Sequence, residues 1–141
     1  MTNDSSADAI APLSFAAKSL EASLTVADVG RSRDWYRDVL GFALDREYQR
    51  DGRVFAASMR ADAVRILLTQ DDGAKGERAK GEGFSLQFTT LQDVDAVAAH
   101  AKSAGAALDT EPADIWGARV FRLRDPDGFK LVISSQRPAD R

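Results

Sequence analysis

Few side chains in this sequence could do chemistry. Its 141 residues include no cysteine and one histidine, His100. Thiolate chemistry and cysteine-ligated metals are therefore excluded, and Ser23 and Ser85 have no imidazole to activate them. Glu21 is the one acidic group placed to serve as a general acid or base, with Arg65 nearby to oppose its charge. If a catalytic residue exists it is Glu21; the sequence names no other. Ser85, Gln87 and Lys130 supply hydrogen-bonding groups of the same parity, and Leu67 and Val132 an apolar floor between them. Trp116, just before Gly117, could stack on a planar group or a cation, or pack against a second subunit. His100 falls in a helical stretch and reads as a helix-surface residue. The set suits recognition of a small organic molecule by a few convergent polar groups.

The elements that must hold these residues are written twice. Gly41-Phe42-Ala43-Leu44-Asp45-Arg46-Glu47 returns 64 residues later as Gly105-Ala106-Ala107-Leu108-Asp109-Thr110-Glu111. A repeat of this kind indicates one module used twice. Each copy begins at a glycine that follows a helix-like segment, where a left-handed cap is needed. Residues 20–26 alternate apolar and polar, with Leu20, Ala22, Leu24 and Val26 expected on the core side. Asp28 caps a helix whose core stripe includes Trp35, Tyr36, Val39 and Leu40. Strands are expected at 43–48, 54–59 and 64–69. The second module repeats the order, with a strand at 84–89, a helix capped by Asp93, and strands at 106–110, 117–124 and 129–134. Asp125-Pro126-Asp127-Gly128 joins the last two as a turn. Phe42, Phe84, Phe88 and Phe129 are expected in the core.

The expected organisation is an N-terminal arm at 1–18, one domain at 19–137 and a tail at 138–141. Within the domain, module one spans 19–70, a glycine- and charge-rich linker 71–83, and module two 84–137. The linker is a candidate lid. The apolar patch 10–15 could dock on the domain or on another subunit. With 19 basic and 22 acidic residues the net charge is −3, which offers no bulk attraction to nucleic acid or anionic membrane. The N-terminus lacks the basic start and apolar run of a secretory signal, and a cytoplasmic location is expected.

Three pieces carry a resemblance: Leu24-Thr25-Val26-Ala27-Asp28; Ser32 with Trp35-Tyr36-Arg37-Asp38-Val39-Leu40-Gly41-Phe42; and Arg124-Asp125-Pro126-Asp127-Gly128-Phe129. In this order and spacing the chain resembles the vicinal oxygen chelate superfamily of glyoxalase I, bleomycin-resistance proteins and extradiol dioxygenases. The resemblance implies an α+β fold of two βαβββ modules around a polar-lined cleft, and a homodimer in which modules pair within or across chains. It also implies four metal-ligand positions on equivalent strands, which fall on Glu21, Leu67, Ser85 and Val132.

Two of those four are aliphatic and cannot donate, whereas a divalent transition ion needs several convergent donors. The expectation is therefore no metal and no cofactor. It is a metal-independent protein of the bleomycin-resistance-like branch, binding or sequestering an aromatic or planar compound through Glu21, Arg65, Leu67, Ser85, Gln87, Trp116, Lys130 and Val132. The alternative is an enzyme of the same superfamily, a lyase, isomerase or dioxygenase, using Glu21 as acid, base or residual ligand. A third possibility is a module whose cleft takes a peptide of another protein.

Overall fold

A computed structural model of the chain describes residues 10–77 and 79–137. The ten elements are β1 (Ala22–Val26), α1 (Val29–Leu40), β2 (Ala43–Arg50), β3 (Arg53–Ala61), β4 (Val64–Gln70), β5 (Ser85–Thr90), α2 (Val94–Ser103), β6 (Leu108–Ile115), β7 (Ala118–Arg124) and β8 (Lys130–Ser135). They form two four-stranded sheets, ordered β1-β4-β3-β2 and β5-β8-β7-β6. The first pair in each sheet is parallel and the others antiparallel. Two βαβββ modules result, as the duplicated sequence requires.

Local chemistry sets the helix limits. The Asp28 carboxylate accepts from the Arg31 N–H to open α1, and Gly41 closes it at φ 76°. In the second module Asp93 accepts from the Asp95 N–H. There α2 ends at Ser103 and its cap comes one residue before the glycine: Ala104 is the cap, and Gly105 follows at φ 98°. His100 is exposed, yet its Nε2 lies 2.9 Å from the carbonyl oxygen of Asp38. That carbonyl is in the last turn of α1, where it has no partner within the helix. The histidine thus ties α2 to the end of α1.

Alternation along the strands sends one set of side chains to a core shared by both modules. Leu24, Val26, Ala57, Met59, Ile66 and Leu68 of the first sheet meet Phe121, Leu123, Leu131 and Ile133 of the second in one cluster, with α1 and α2 packed against each other between them. The opposite face of each sheet consequently points away from the core.

The doubled sequence segment does the same two jobs in each module. A bulge at Asp45 interrupts the β2–β3 register between Leu44 and Arg46, and one at Asp109 interrupts β6–β7 between Leu108 and Thr110. Each bulged aspartate turns to the open face and pairs with an arginine on the next strand, Asp45 with Arg60 at 3.8 Å and Asp109 with Arg124 at 3.0 Å. Each glutamate two positions on turns to the helix side instead, Glu47 to Arg33 at 2.7 Å and Glu111 to Lys102 at 2.9 Å. An extra residue in one strand reverses its alternation, so neighbouring acids serve opposite faces.

Two core assignments need correction. Leu20 is 93 % exposed because β1 begins only at Ala22, where pairing with Ile66 of β4 begins. Phe84 is 45 % exposed and precedes β5, although its ring meets Phe129 edge-on at 6.0 Å. Strand β6 runs to Ile115, well past the expected end at 110, because its hairpin with β7 closes at Trp116-Gly117. Residues 10–20 hold Ile10, Leu13 and Phe15 almost fully exposed, so the patch does not dock on its own domain. The rest of the arm, 1–9, and the tail 138–141 lie outside the described residues.

Candidate functional site

Strand register lays out the two open faces. Across the first sheet, Ser23, Leu67, Ser58 and Arg46 form one row and Thr25, Thr69, Ala56 and Tyr48 the next. Across the second, Gln87, Val132, Arg122 and Thr110 form the equivalent row, flanked by Ser85, Lys130 and Arg124 on one side and Thr89, Ser134, Val120 and Ala113 on the other. Leu67 and Val132 occupy matching central places in the two faces. Ser58 and Ala56, though on the open side, are buried.

The eight sequence-derived residues fall into two groups. Glu21, Arg65 and Leu67 belong to the first sheet or its approach. Glu21 stands just before β1 and is exposed. Arg65 is half exposed and lies 3.5 Å from Asp45, which it shares with Arg60. Ser85, Gln87, Lys130 and Val132 share the open face of the second sheet, where Lys130 neighbours Ser85 on β5 and Arg124 on β7. Trp116 is 86 % exposed at the β6–β7 turn, with φ 50°. Positive φ is rare for a bulky side chain and marks strain. The matching turn of the first module carries Asp51-Gly52, whose residue types suit this geometry.

Sequence reasoning missed Arg46 and Arg122 on these faces. Arg122 was legible, since it alternates with buried Phe121 and Leu123. Arg46 was not, because the bulge at Asp45 shifts the parity. A similar shift at Tyr48 sets Phe55 beside it, with ring centroids 6.4 Å apart and the Arg50 guanidinium 4.5 Å above the Phe55 ring.

The four positions that would hold a metal supply one carboxylate and one hydroxyl, and Leu67 and Val132 supply no donor. Among the described residues no group of three or more His, Cys, Asp or Glu side chains could hold an ion. The set does not fit a divalent transition metal.

A different cluster of polar groups locks the modules together. The fully buried Tyr36 donates its hydroxyl to Asp125 at 2.8 Å, and the other Asp125 oxygen accepts from the N–H groups of Asp127 and Phe129 at 2.9 Å each. Burial pushes the Asp125 carboxyl above its ordinary range, opposed by those three hydrogen bonds. Burial first, then the Asp125 charge, raise the Tyr36 phenol, so it stays a donor. Asp127 reaches across to the first module, accepting from the Ala27 N–H at 2.8 Å and from the Ser32 hydroxyl at 3.4 Å. Lys80 of the linker sits between Asp71 at 3.0 Å and Asp127 at 3.6 Å. A cleft of about 620 Å³ is here, between the linker and the start of α1. Its Lys80 and Asp127 side chains are committed to holding the modules, and neither open sheet face contributes to it.

The profile of the Glyoxalase/Bleomycin resistance protein/Dioxygenase superfamily matches residues 18–133. The chain belongs to that superfamily. Among solved structures it is similar to TioX from a Micromonospora species, with 21 % identity, TM-score 0.68, and coverage of 84 % of this chain and 98 % of that one. A superfamily member from Sphaerobacter thermophilus gives 21 % identity, TM-score 0.71, and 86 % and 98 % coverage. One from Nocardioides gives 18 %, 0.65, and 91 % and 88 %. At these identities the likeness is one of fold. No curated protein matches the sequence significantly. Among the described residues, no helix is long and apolar enough to cross a membrane.

Proposed function

We propose that this superfamily member is a metal-independent small-molecule binding protein, holding a planar organic compound against the open sheet faces. The observation that carries the reading is the pair Leu67 and Val132, aliphatic side chains at the centres of the two faces where coordinating groups would have to stand. Around them are hydrogen-bonding side chains, with Trp116 exposed at one rim. Such a combination of an apolar floor with a few polar groups suits ligand recognition. Glu21 as acid, base or residual ligand has less support, since it lies outside the strand and is exposed.

A second copy of the chain is the natural cover for these faces. The outer edge strands are guarded, β2 by four charged residues and β6 by Pro112 and three acids, whereas β1 and β5 carry no charge and no proline. Edges left unguarded are pairing sites. Calorimetric titration of the full chain with a panel of planar aromatic compounds tests the binding. Elemental analysis tests the metal independence: stoichiometric zinc, nickel, manganese or iron, lost on Glu21→Ala, would overturn it.

A further inference from the structure

We infer that the ligand is an amphipathic organic anion, held with its acidic head at the Arg122 and Lys130 end of the second sheet and its apolar body running along β7 toward Trp116. This inference rests on the binding reading above and specifies the class of compound.

Charge supplies the first support. The chain as a whole is net negative at −3, yet the open faces are cationic. On the second sheet Arg122, Arg124 and Lys130 face a single bulged carboxylate, Asp109, and Arg124 takes it at 3.0 Å. Among the described residues Arg122 and Lys130 have no carboxylate within 4 Å, and both are exposed. The first sheet shows the same excess: Arg60 and Arg65 share Asp45, and Arg46 has no carboxylate partner among the described residues. Glu21, exposed ahead of β1, is the other acid on that side. Unpartnered guanidinium and ammonium groups gathered on one face of an acidic protein attract an anion and repel a cation.

Apolar packing supplies the second support, and it is independent of charge. Ala118, Val120 and Val132, themselves buried, form with half-buried Ile115 a cluster separate from the main core, so that Ile115 and Trp116 are the apolar groups a ligand reaches at that end. All four lie on the open side, since Phe121 and Leu123 of the same strand face the helices. Along β7 the open-face residues therefore change from Ala118 and Val120 to Arg122 and Arg124. Four residues of strand separate the Ala118 row from the Arg122 row, a span of roughly 13 Å at the usual rise. Trp116 stands at the apolar end, strained and exposed. A molecule matching both ends is anionic at one end and apolar for about the length of two or three fused rings. Gln87, beside Val132, adds a neutral donor near the head.

The test uses three probes with one ring system and different heads: naphthalene-2-carboxylate, naphthalene-2-carboxamide and 2-(aminomethyl)naphthalene, titrated calorimetrically at neutral pH and low ionic strength. The expected result is carboxylate binding at least tenfold tighter than the amide, and the amine weakest. The double variant R122Q/K130Q should remove that preference while holding the amide within twofold, and R37Q, on the outer surface of α1, should change neither. Circular dichroism confirms that each variant folds. Equal affinity for the three heads overturns the inference while leaving the binding reading intact. So does a preference that survives R122Q/K130Q or is lost equally in R37Q. Failure of all three probes also overturns it, and the wider aromatic panel then decides the binding reading separately.

Discussion

Tyr36 shows how one buried hydroxyl can join two halves of a protein. Its ring packs edge-on between Trp35 and Phe42, at 4.9 and 5.4 Å, while its oxygen reaches Asp125 of the other module. Tyr36→Phe keeps the packing and leaves one oxygen of a buried carboxylate short of a donor. The expected loss is about 1.5–3 kcal/mol, the usual range for hydrogen bonds to charged groups, read from urea unfolding. Asp125 also imposes a pH dependence. Its folded-state carboxyl is raised, chiefly by burial. In the interval from the ordinary carboxylate pKa up to that raised value, the folded state therefore binds more protons than the unfolded one. Stability from this group is fully present below the ordinary value and is lost as pH rises through the raised one. Asp125→Asn should flatten that fall in unfolding titrations, and Tyr36→Phe, which removes a hydrogen bond holding the carboxyl down, should move it to higher pH. Trp116 poses the converse case. Trp116→Asn gives the turn the Asn-Gly pair it favours and should raise stability by roughly 1 kcal/mol. The same change should weaken aromatic ligands, a divergence measurable by thermal unfolding beside calorimetry.

At the scale of elements, glycines separate conformational strain from crowding. Gly41 and Gly105 have positive φ with open space where a side chain would begin, so only the left-handed backbone resists substitution. Gly41→Val and Gly105→Val should each cost about 1–2 kcal/mol, the penalty of an L residue there. Gly81 has the same φ as Gly41, but an added Cβ would lie 2.9 Å from Cδ1 and 3.1 Å from Cα of Phe129. Gly81→Ala should therefore destabilise more than Gly41→Ala, and equal melting temperatures would refute the close packing. That contact, with Lys80 between Asp71 and Asp127, pins the end of the linker against the module junction.

At the scale of the whole molecule, both helix-bearing faces are spent on one shared core, and both polar faces are left outward. Closing them calls on another molecule, and uncharged β1 and β5 edges favour a second copy. Light scattering should give twice the 15.3 kDa chain mass at micromolar concentration. A monomer under those conditions would remove the second copy from the proposed function.

The amino-acid sequence alone determined the duplicated module, the aspartate caps that open its helices, the two sheets' alternation and the aliphatic residues at Leu67 and Val132. These follow from short-range periods and from residue chemistry, which require no knowledge of neighbours. Tertiary structure decided the rest. Bulges at Asp45 and Asp109 add a residue to one strand of a pair, so the face that Arg46 occupies depends on cross-strand register, which alternation cannot count. The link from His100 to Asp38, and the one from Tyr36 to Asp125, join residues distant in sequence. Only the packing of one module on the other brings them within reach.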